Sequence, residues 1–443
     1  MKRNPSRREF LAGAAAIGAS AATAMTASAQ IKNEPWSGQS FVDQYYEGML
    51  KIAKDIRATQ IGNISKAMTT AYERIQKGGK AHAQFQTGHY VMFAASSDVP
   101  GQPNILQNTR GVKNDINTGD FLLGMRGNQD LRDKGVYVVG VTNGYGVFAK
   151  TPPGGLNSSG SKMEDSCDLV IDSQMPWYNG LVNVPWIPTF HVMPSCGNAM
   201  MLVYWPCTAV LANLIGTKGK GSSTEPAERY LDLAIERIQM IGTDRPKMSE
   251  VTSKWADLVL NEKARFLVYG HPQEGTPYQG TKNMYVNEAY IVADGTAIAD
   301  LYEGKENDLR KSDIVLIGAF TSDNADEINV ARNSKKFGSY TTAFCPYSTD
   351  GNSLGARLFK EVDSSFYTYS DESAGVLSIP GYKEKICPLA PLMGNVVHWM
   401  LMSSWCDNMY SRGKMPHFWQ GFGQAGSKES NPKMEEEFKK LGY

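Results

Sequence analysis

The chain has 443 residues, 42% of them hydrophobic, with 45 basic side chains against 45 acidic ones. That balance gives no reason to expect a nucleic acid or another polyanion as partner. The length exceeds one ordinary core, so two domains are expected, and six cysteines with no CxxC or zinc-type spacing argue against a disulfide scaffold or a structural metal.

Residues 1–29 read as an address. Ser6-Arg7-Arg8-Glu9-Phe10-Leu11 is a twin-arginine pattern, a weakly apolar stretch runs from Ala12 to Met25, and Ala27-Ser28-Ala29 supplies small residues for cleavage. The mature chain is therefore expected to start at Gln30 and to be periplasmic or otherwise exported, with the twin-arginine machinery as a partner. Losing Lys2, Arg3, Arg7 and Arg8 together with Glu9 leaves a net charge of −3. No later apolar run is read as approaching the ~20 residues of a membrane span.

The mature part is written twice. Lys80-to-His89 is echoed by Lys263-to-His271, Gly119-to-Asn128 by Ser312-to-Asn324, and Lys134-to-Thr142 by Phe337-to-Cys345. Each half closes on a Pro-led apolar stretch, Pro194 to Gly216 and Pro388 to Gly413. Matched segments in one order point to two copies of one α/β unit, with a ligand crevice near the strand ends. The units are placed at 30–216 and 227–414, with a linker over 217–226 and a C-terminal tail over 415–443.

In chain order, Phe41 to Lys77 has the apolar spacing of a helix, interrupted near Asn63, and Gly78-Gly79 stops it. Short strands follow at Ala81 to Phe85, Asp120 to Met125, Val136 to Thr142 and Asp168 to Asp172. Apolar runs this short suit a parallel sheet buried on both faces. The stretch from Gly216 to Pro226 reads as a flexible connection; it lacks the lysine of a phosphate loop, since Ser222 follows the second glycine. Helices over Ala227 to Ile241 and Met248 to Asn261 precede strands at Arg265 to Tyr269, Asp313 to Ala319, Ser339 to Phe344 and Ser365 to Tyr369. A crossover helix is expected over Asn324 to Phe337, and a tail from Met415 that wraps the surface or frays.

This pattern resembles the sugar isomerase (SIS) family in its two-copy arrangement. The resemblance rests on Gln86-Thr87-Gly88-His89 and Gly119-Asp120 with the strand behind it in the first copy. In the second it rests on Asp313 to Gly318, Thr321-Ser322-Asp323-Asn324-Ala325-Asp326-Glu327 and Gly338. It implies two tandem doubly wound flavodoxin-like units, an isomerase acting on a sugar or sugar phosphate, and a homodimer. The family's phosphate turn reads Ser-x-Ser-Gly-x-Thr-x-Glu. The first copy has Met125-Arg126-Gly127-Asn128 there instead, and the second has Asn324-Ala325 where the glycine belongs.

The residues themselves offer a site with a plain alternative at each position. Thr321 and Ser322 precede a helix whose expected cap is Asp323 or Asn324, so they either bind a ligand at the helix N-terminus or only cap it. Asp323 and Asp326 would repel a phosphate, which favours a neutral or amine-bearing ligand. His89 and His271 occupy matching places and can shuttle protons near neutrality, and Glu274 in the same loop could abstract a proton beside a carbonyl. These three are the catalytic candidates. Thr87, Gly88, Arg126, Asn128, Thr321, Ser322, Asn324 and Glu327 are the ligand-binding candidates, with Glu327 equally suited to packing or capping. Tyr204-Trp205 and the stretch Trp399 to Trp405 are core before they are sugar platforms. No metal and no cofactor is expected. Against the isomerase stands a carbohydrate-derivative-binding protein that kept the fold without the chemistry.

Overall fold

The computed structural model describes residues 38–84, 101–108, 116–125, 127–141, 163–176, 180–188, 190–270, 290–291, 309–319, 325–347, 354–371, 375–419 and 427–443. It opens with helices α1 (Phe41–Thr59) and α2 (Ile61–Gln76). In α1, Val42, Tyr45, Met49, Ile52, Ala53 and Ile56 recur every three or four residues and are all buried, one apolar stripe. The break comes at Gln60, three residues before Asn63.

Strands β1 (Ala81–Gln84), β2 (Gln107–Asn108), β3 (Phe121–Gly124), β4 (Tyr137–Val141) and β5 (Leu169–Ile171) make a parallel sheet. Its order is β2-β1-β3-β4-β5, the flavodoxin-like arrangement. The short helix α3 (Gln129–Asp133) lies between β3 and β4. An antiparallel pair, β6 (Gly180–Val182) and β7 (Val192–Pro194), leads into the long helix α4 (Cys196–Gly216).

The second half runs through α5 (Glu225–Gly242), α6 (Arg245–Glu262), β8 (Phe266–Gly270), β9 (Tyr290–Ile291), β10 (Ile314–Gly318), α7 (Asp326–Phe337), β11 (Tyr340–Tyr347), α8 (Leu354–Glu361), β12 (Ser364–Asp371) and α9 (Ala390–Ser411). It closes on β13 (Phe418–Trp419) and α10 (Ser427–Leu441). Strands β8, β10, β11 and β12 neighbour one another in that order and are all parallel. This repeats the β1-β3-β4-β5 part of the first sheet.

Both sheets are covered on both faces, and the two-residue period of a strand divides their side chains. Phe121 and Leu123 face the large shared core, while Leu122 joins a separate cluster with Val136, Val138, Met163 and Cys167. Ile314 and Leu316 likewise face the shared core, and Val315 and Ile317 turn to a cluster completed by α7. Continuous apolar runs such as Ile314 to Ile317 are what two covered faces require.

Equivalent hydrogen bonds hold the N-terminal ends of the two sheets. Asp120 accepts from the backbone N–H groups of Lys80 and Asn117 (2.7 and 2.9 Å). Asp313 accepts from those of Arg265 and Arg310 (3.2 and 2.8 Å). One strand further, Asp168 accepts from Val138 N–H and Asp363 from Thr341 N–H, both at 2.8 Å. Tyr45 on α1 donates its hydroxyl proton to the Pro194 carbonyl, and Tyr230 on α5 donates to Pro388, both at 3.1 Å.

The halves interlock rather than merely follow one another. Helix α4 of the first half packs on α5 of the second, and α9 of the second packs on α1 of the first. Helices α4 and α9 are apolar all round and buried almost throughout, as such helices must be. Where their N-terminal turns meet, Asn395 Nδ2 donates to Asn198 Oδ1 at 2.7 Å, and Asn198 Nδ2 donates to Tyr45 Oη at 3.0 Å. Near the other end of α9, the Asp407 carboxylate accepts from the N–H groups of Phe41 and Val42 at 2.6 and 3.0 Å, capping α1 from the far end of the chain.

Several expectations change. Helix α4 is long and apolar enough to cross a membrane by length and composition, contrary to the reading that no later run qualifies; 89% of its apolar window is buried inside the fold. Helix α5 begins at Glu225, inside the span read as linker. The composition that suggested flexibility is tied down: Asn213 donates to the Ser222 carbonyl, Gly221 N–H to Thr217 Oγ1 and the Ser65 hydroxyl to Ser223, each at 2.8 Å. The tail from Met415 forms a strand paired with β9 and a 15-residue helix. All six cysteines are free and buried. As expected, Trp205 and Trp405 are enclosed core residues rather than sugar platforms.

Candidate functional site

In open parallel sheets a ligand crevice lies beyond the carboxyl ends of the strands where the order reverses. In the first sheet that point lies between β1 and β3, where Gln84 pairs with Gly124. The second sheet's described strands show no reversal, but β8 and β10 match that pair, and Gly270 of β8 lies opposite Gly318 of β10. The chain leaves these strand ends directly into most of the candidate residues. Thr87, Gly88 and His89 follow β1, Arg126 follows Met125, His271 and Glu274 follow β8, and Thr321, Ser322 and Asn324 separate β10 from α7. All nine lie outside the described residues. Asn128 and Glu327 lie within them.

Asn128 is committed to its own helix. Its side-chain oxygen accepts from Leu131 N–H at 3.0 Å and so caps α3, a helix of five residues. Beside it, the chain at Gly127 runs so close to Ser166 that a Cβ would lie 1.8 Å from the Ser166 oxygen. Among the described residues, this corner of the first sheet is filled and satisfied.

The second sheet differs at the equivalent corner. The expected caps Asp323 and Asn324 lie outside the described residues; α7 starts at Asp326, and Ala325 stands at the N-cap with no side-chain bond to offer. The three-turn helix thus carries its positive end without a cap among the described residues. Glu327, in its first turn, is 1% exposed. Its carboxyl accepts a bond from its own backbone N–H, which keeps it beside the first-turn N–H groups. The oxygen Oε2 has no partner among the described residues.

Burial pushes the Glu327 carboxyl up to about 8, the bond from its own N–H opposes that rise, and the neighbouring Asp326 charge adds to it. Around neutral pH the group therefore exchanges a proton readily, a property that concentrates at functional sites. Chemically it can donate O–H to a ligand, accept from one, or take up charge when a cation approaches.

Other buried polar groups belong to the scaffold. His82 Nε2 lies 3.1 Å from Asp120 Oδ2 at the opposite end of the first sheet. Burial raises the Asp120 carboxyl, but the Asn117 and Lys80 N–H bonds and His82 outweigh it, and the net shift is downward. Arg265 plays the corresponding part in the second sheet, with Nη2 2.6 Å from Asp313 Oδ2. Sequence reading missed both pairs, although the Gly-Asp and Ser-Asp steps before the strands mark where they form.

No family model and no curated protein sequence matches the chain. Among solved structures, the C-terminal domain of glucosamine-fructose-6-phosphate aminotransferase from Francisella tularensis is similar over 83% of this chain and 97% of its own, with 9% identity and a TM-score of 0.46. Tagatose-6-phosphate ketose/aldose isomerase from Escherichia coli is similar over 87% of this chain and 97% of its own, at 12% identity and a TM-score of 0.46. Glucosamine-6-phosphate deaminase from Thermotoga maritima is similar over 83% and 96%, at 11% identity and a TM-score of 0.38. This chain's own strands decide its class. It is an α/β protein built on two parallel sheets.

Proposed function

We propose that this protein is an exported sugar isomerase-like enzyme, binding a carbohydrate derivative at the carboxyl end of its second sheet. The observation that carries the reading is Glu327: a buried carboxyl with an unpartnered oxygen among the described residues, in the first turn of a helix at the end of the sheet where ligands of such sheets bind. In this reading Glu327 orients the sugar, with Thr321, Ser322 and Asn324 beside it in sequence. His271 and Glu274, which follow β8, open the ring and move the proton from the carbon beside the carbonyl to its neighbour. His89, Thr87, Gly88 and Arg126 would serve the first unit's end of the same crevice. Export rests on the Arg7-Arg8 pattern and the small residues at 27–29.

The satisfied cap at Asn128 and the packed turn at Gly127 favour a second reading, in which one unit has lost its site and the protein binds without catalysis. One experiment separates the two. Unphosphorylated and phosphorylated aldoses and ketoses are incubated with the protein in deuterated water, and deuterium at the carbon beside the carbonyl is followed by proton NMR. A thermal-shift measurement on the same samples reports binding. Exchange abolished by His271→Ala supports the enzyme. Binding without exchange moves the protein to the second reading, and neither signal rejects both. Export is checked by replacing Arg7 and Arg8 with lysine, which should strand the protein in the cytoplasm.

A further inference from the structure

The corner where α7 runs into β11 carries a surface that its counterpart in the first sheet lacks. Phe337 continues the stripe of Val330 and Ser334, both buried, yet is itself 39% exposed, the one ring among the exposed large hydrophobic side chains of the described residues. Lys335 and Lys336 precede it in the last turn. Backbone bonds bring a second pair of cations to the same place. Ser312 N–H donates to the Gly338 carbonyl at 3.2 Å, and the Ser339 hydroxyl donates to the Arg310 carbonyl at 3.3 Å. The stem of Lys311 lies against Gly338, with Cγ 3.3 Å from where a Cβ would be. Arg310, Lys311, Lys335 and Lys336 are all exposed, and none forms an ion pair among the described residues. The carboxylates nearby have partners of their own. Asp313 is held by Arg265 at 2.6 Å, and Glu361 by Arg332 at 2.7 Å with Lys335 in its field. Glu262 bonds to the Ser312 hydroxyl, and the exposed Lys263 follows it in the chain.

The fold does not require this surface, because the matching turn of the first sheet does without it. Gly135 there has φ 87° as Gly338 has φ 80°, and Gly119 N–H donates to its carbonyl at 3.3 Å. The positions of Lys335, Lys336 and Phe337 hold Arg132, Asp133 and Lys134, and those of Arg310 and Lys311 hold Asn117 and Thr118. Arg132 is paired with Asp168 at 3.1 Å, and Asp133 and Lys134 offset each other. The helix dipole accounts for a lysine or two in a last turn. It does not account for Arg310 and Lys311, which stand outside any helix, nor for the ring. Lysines lay their stems along apolar surface and keep their heads in water. A ring set among such cations suits an anionic bilayer, where the cations meet headgroups and the ring enters the interface. An acidic protein surface would take the charges but offers the ring no apolar layer. We propose that this corner of the second sheet docks the protein on a membrane carrying anionic lipid, with Phe337 as the inserted side chain.

The test is sedimentation of the purified protein with vesicles of phosphatidylcholine alone and of phosphatidylcholine mixed equally with phosphatidylglycerol, at low and at high salt. The protein should bind the mixed vesicles and not the neutral ones, and salt should release it. Each lysine or arginine near such a surface strengthens binding roughly fivefold, so replacing both Lys335 and Lys336 by serine should weaken it by about twentyfold. Phe337→Ser should weaken it by about fivefold, through apolar contact that salt does not screen. Lys134→Ser, at the matching turn of the first sheet, should change nothing. These positions are exposed, so the variants should keep the fold, which circular dichroism checks. Equal binding to both kinds of vesicle, no binding to either, or mixed-vesicle binding that the lysine or the phenylalanine variant leaves unchanged overturns the inference. Binding of polyglutamate without binding of mixed vesicles assigns the corner to an acidic protein and overturns it too.

Discussion

Glu327 is the residue on which most turns, and its burial sets a pH dependence with a definite sign. The carboxyl titrates near 4.5 when unfolded and near 8 when folded, because burial disfavours its charge. Between those values the native state holds the extra proton, so stability is full below pH 4.5 and is lost as the pH rises through 8. The loss is on the order of 5 kcal/mol. Urea denaturation at pH 5, 7 and 9 should show this fall in the wild type and a flatter profile in Glu327→Gln; parallel profiles would mean that Glu327 titrates normally. The two scaffold aspartates should differ as well. Asp313→Ala removes the carboxylate that Arg265 Nε and Nη2 and two backbone N–H groups bond to, and should cost about 3–5 kcal/mol. Asp120→Ala leaves an imidazole that can be neutral and should cost about 1–3 kcal/mol. Denaturation midpoints that rank the two the other way would refute the assignment. None of these environments was visible from composition: Asp326-Glu327 reads as an ordinary charged helix start until its neighbours are known.

At the scale of elements, the strands and helices lie close to where apolar spacing puts them. Ile314–Gly318 falls within the run expected from Asp313 to Ala319, and Cys196–Gly216 within the Pro194-to-Gly216 stretch. Local pattern suffices there because alternation and all-round apolarity each have one stable burial solution. Caps were less legible. Helix α1 is capped locally by Ser40, whose Oγ accepts from Asp43 N–H at 3.2 Å, but its first two N–H groups are held by Asp407. Burial raises the Asp407 carboxyl to about 6 against the pull of those two bonds. Asp407→Ala should cost about 1–2 kcal/mol, the usual value of an N-cap, measurable as a shifted urea midpoint; an unchanged midpoint would show the bonds to be idle. The start of α7 was less legible too: the pattern puts its cap at Asp323 or Asn324, whereas the helix starts at Asp326 with Ala325 at the N-cap.

For the whole molecule, the crossing of α4 onto α5 and of α9 onto α1 means that the two halves share the largest core, while each sheet keeps only a smaller cluster on its other face. Unfolding should therefore be one cooperative transition despite the two sheets. Differential scanning calorimetry should give a single endotherm, and two separated peaks would show that the halves melt independently.

The sequence by itself determined the class of structure, the order of its elements and the repetition of their pattern, because strand and helix periods and matched segments are local properties of the chain. Tertiary structure alone decided how the halves share a core, which polar residues pin the scaffold, and that Glu327 lies buried in the first turn of its helix. Burial depends on what packs against a residue from far along the chain, and no spacing within the chain encodes that neighbour.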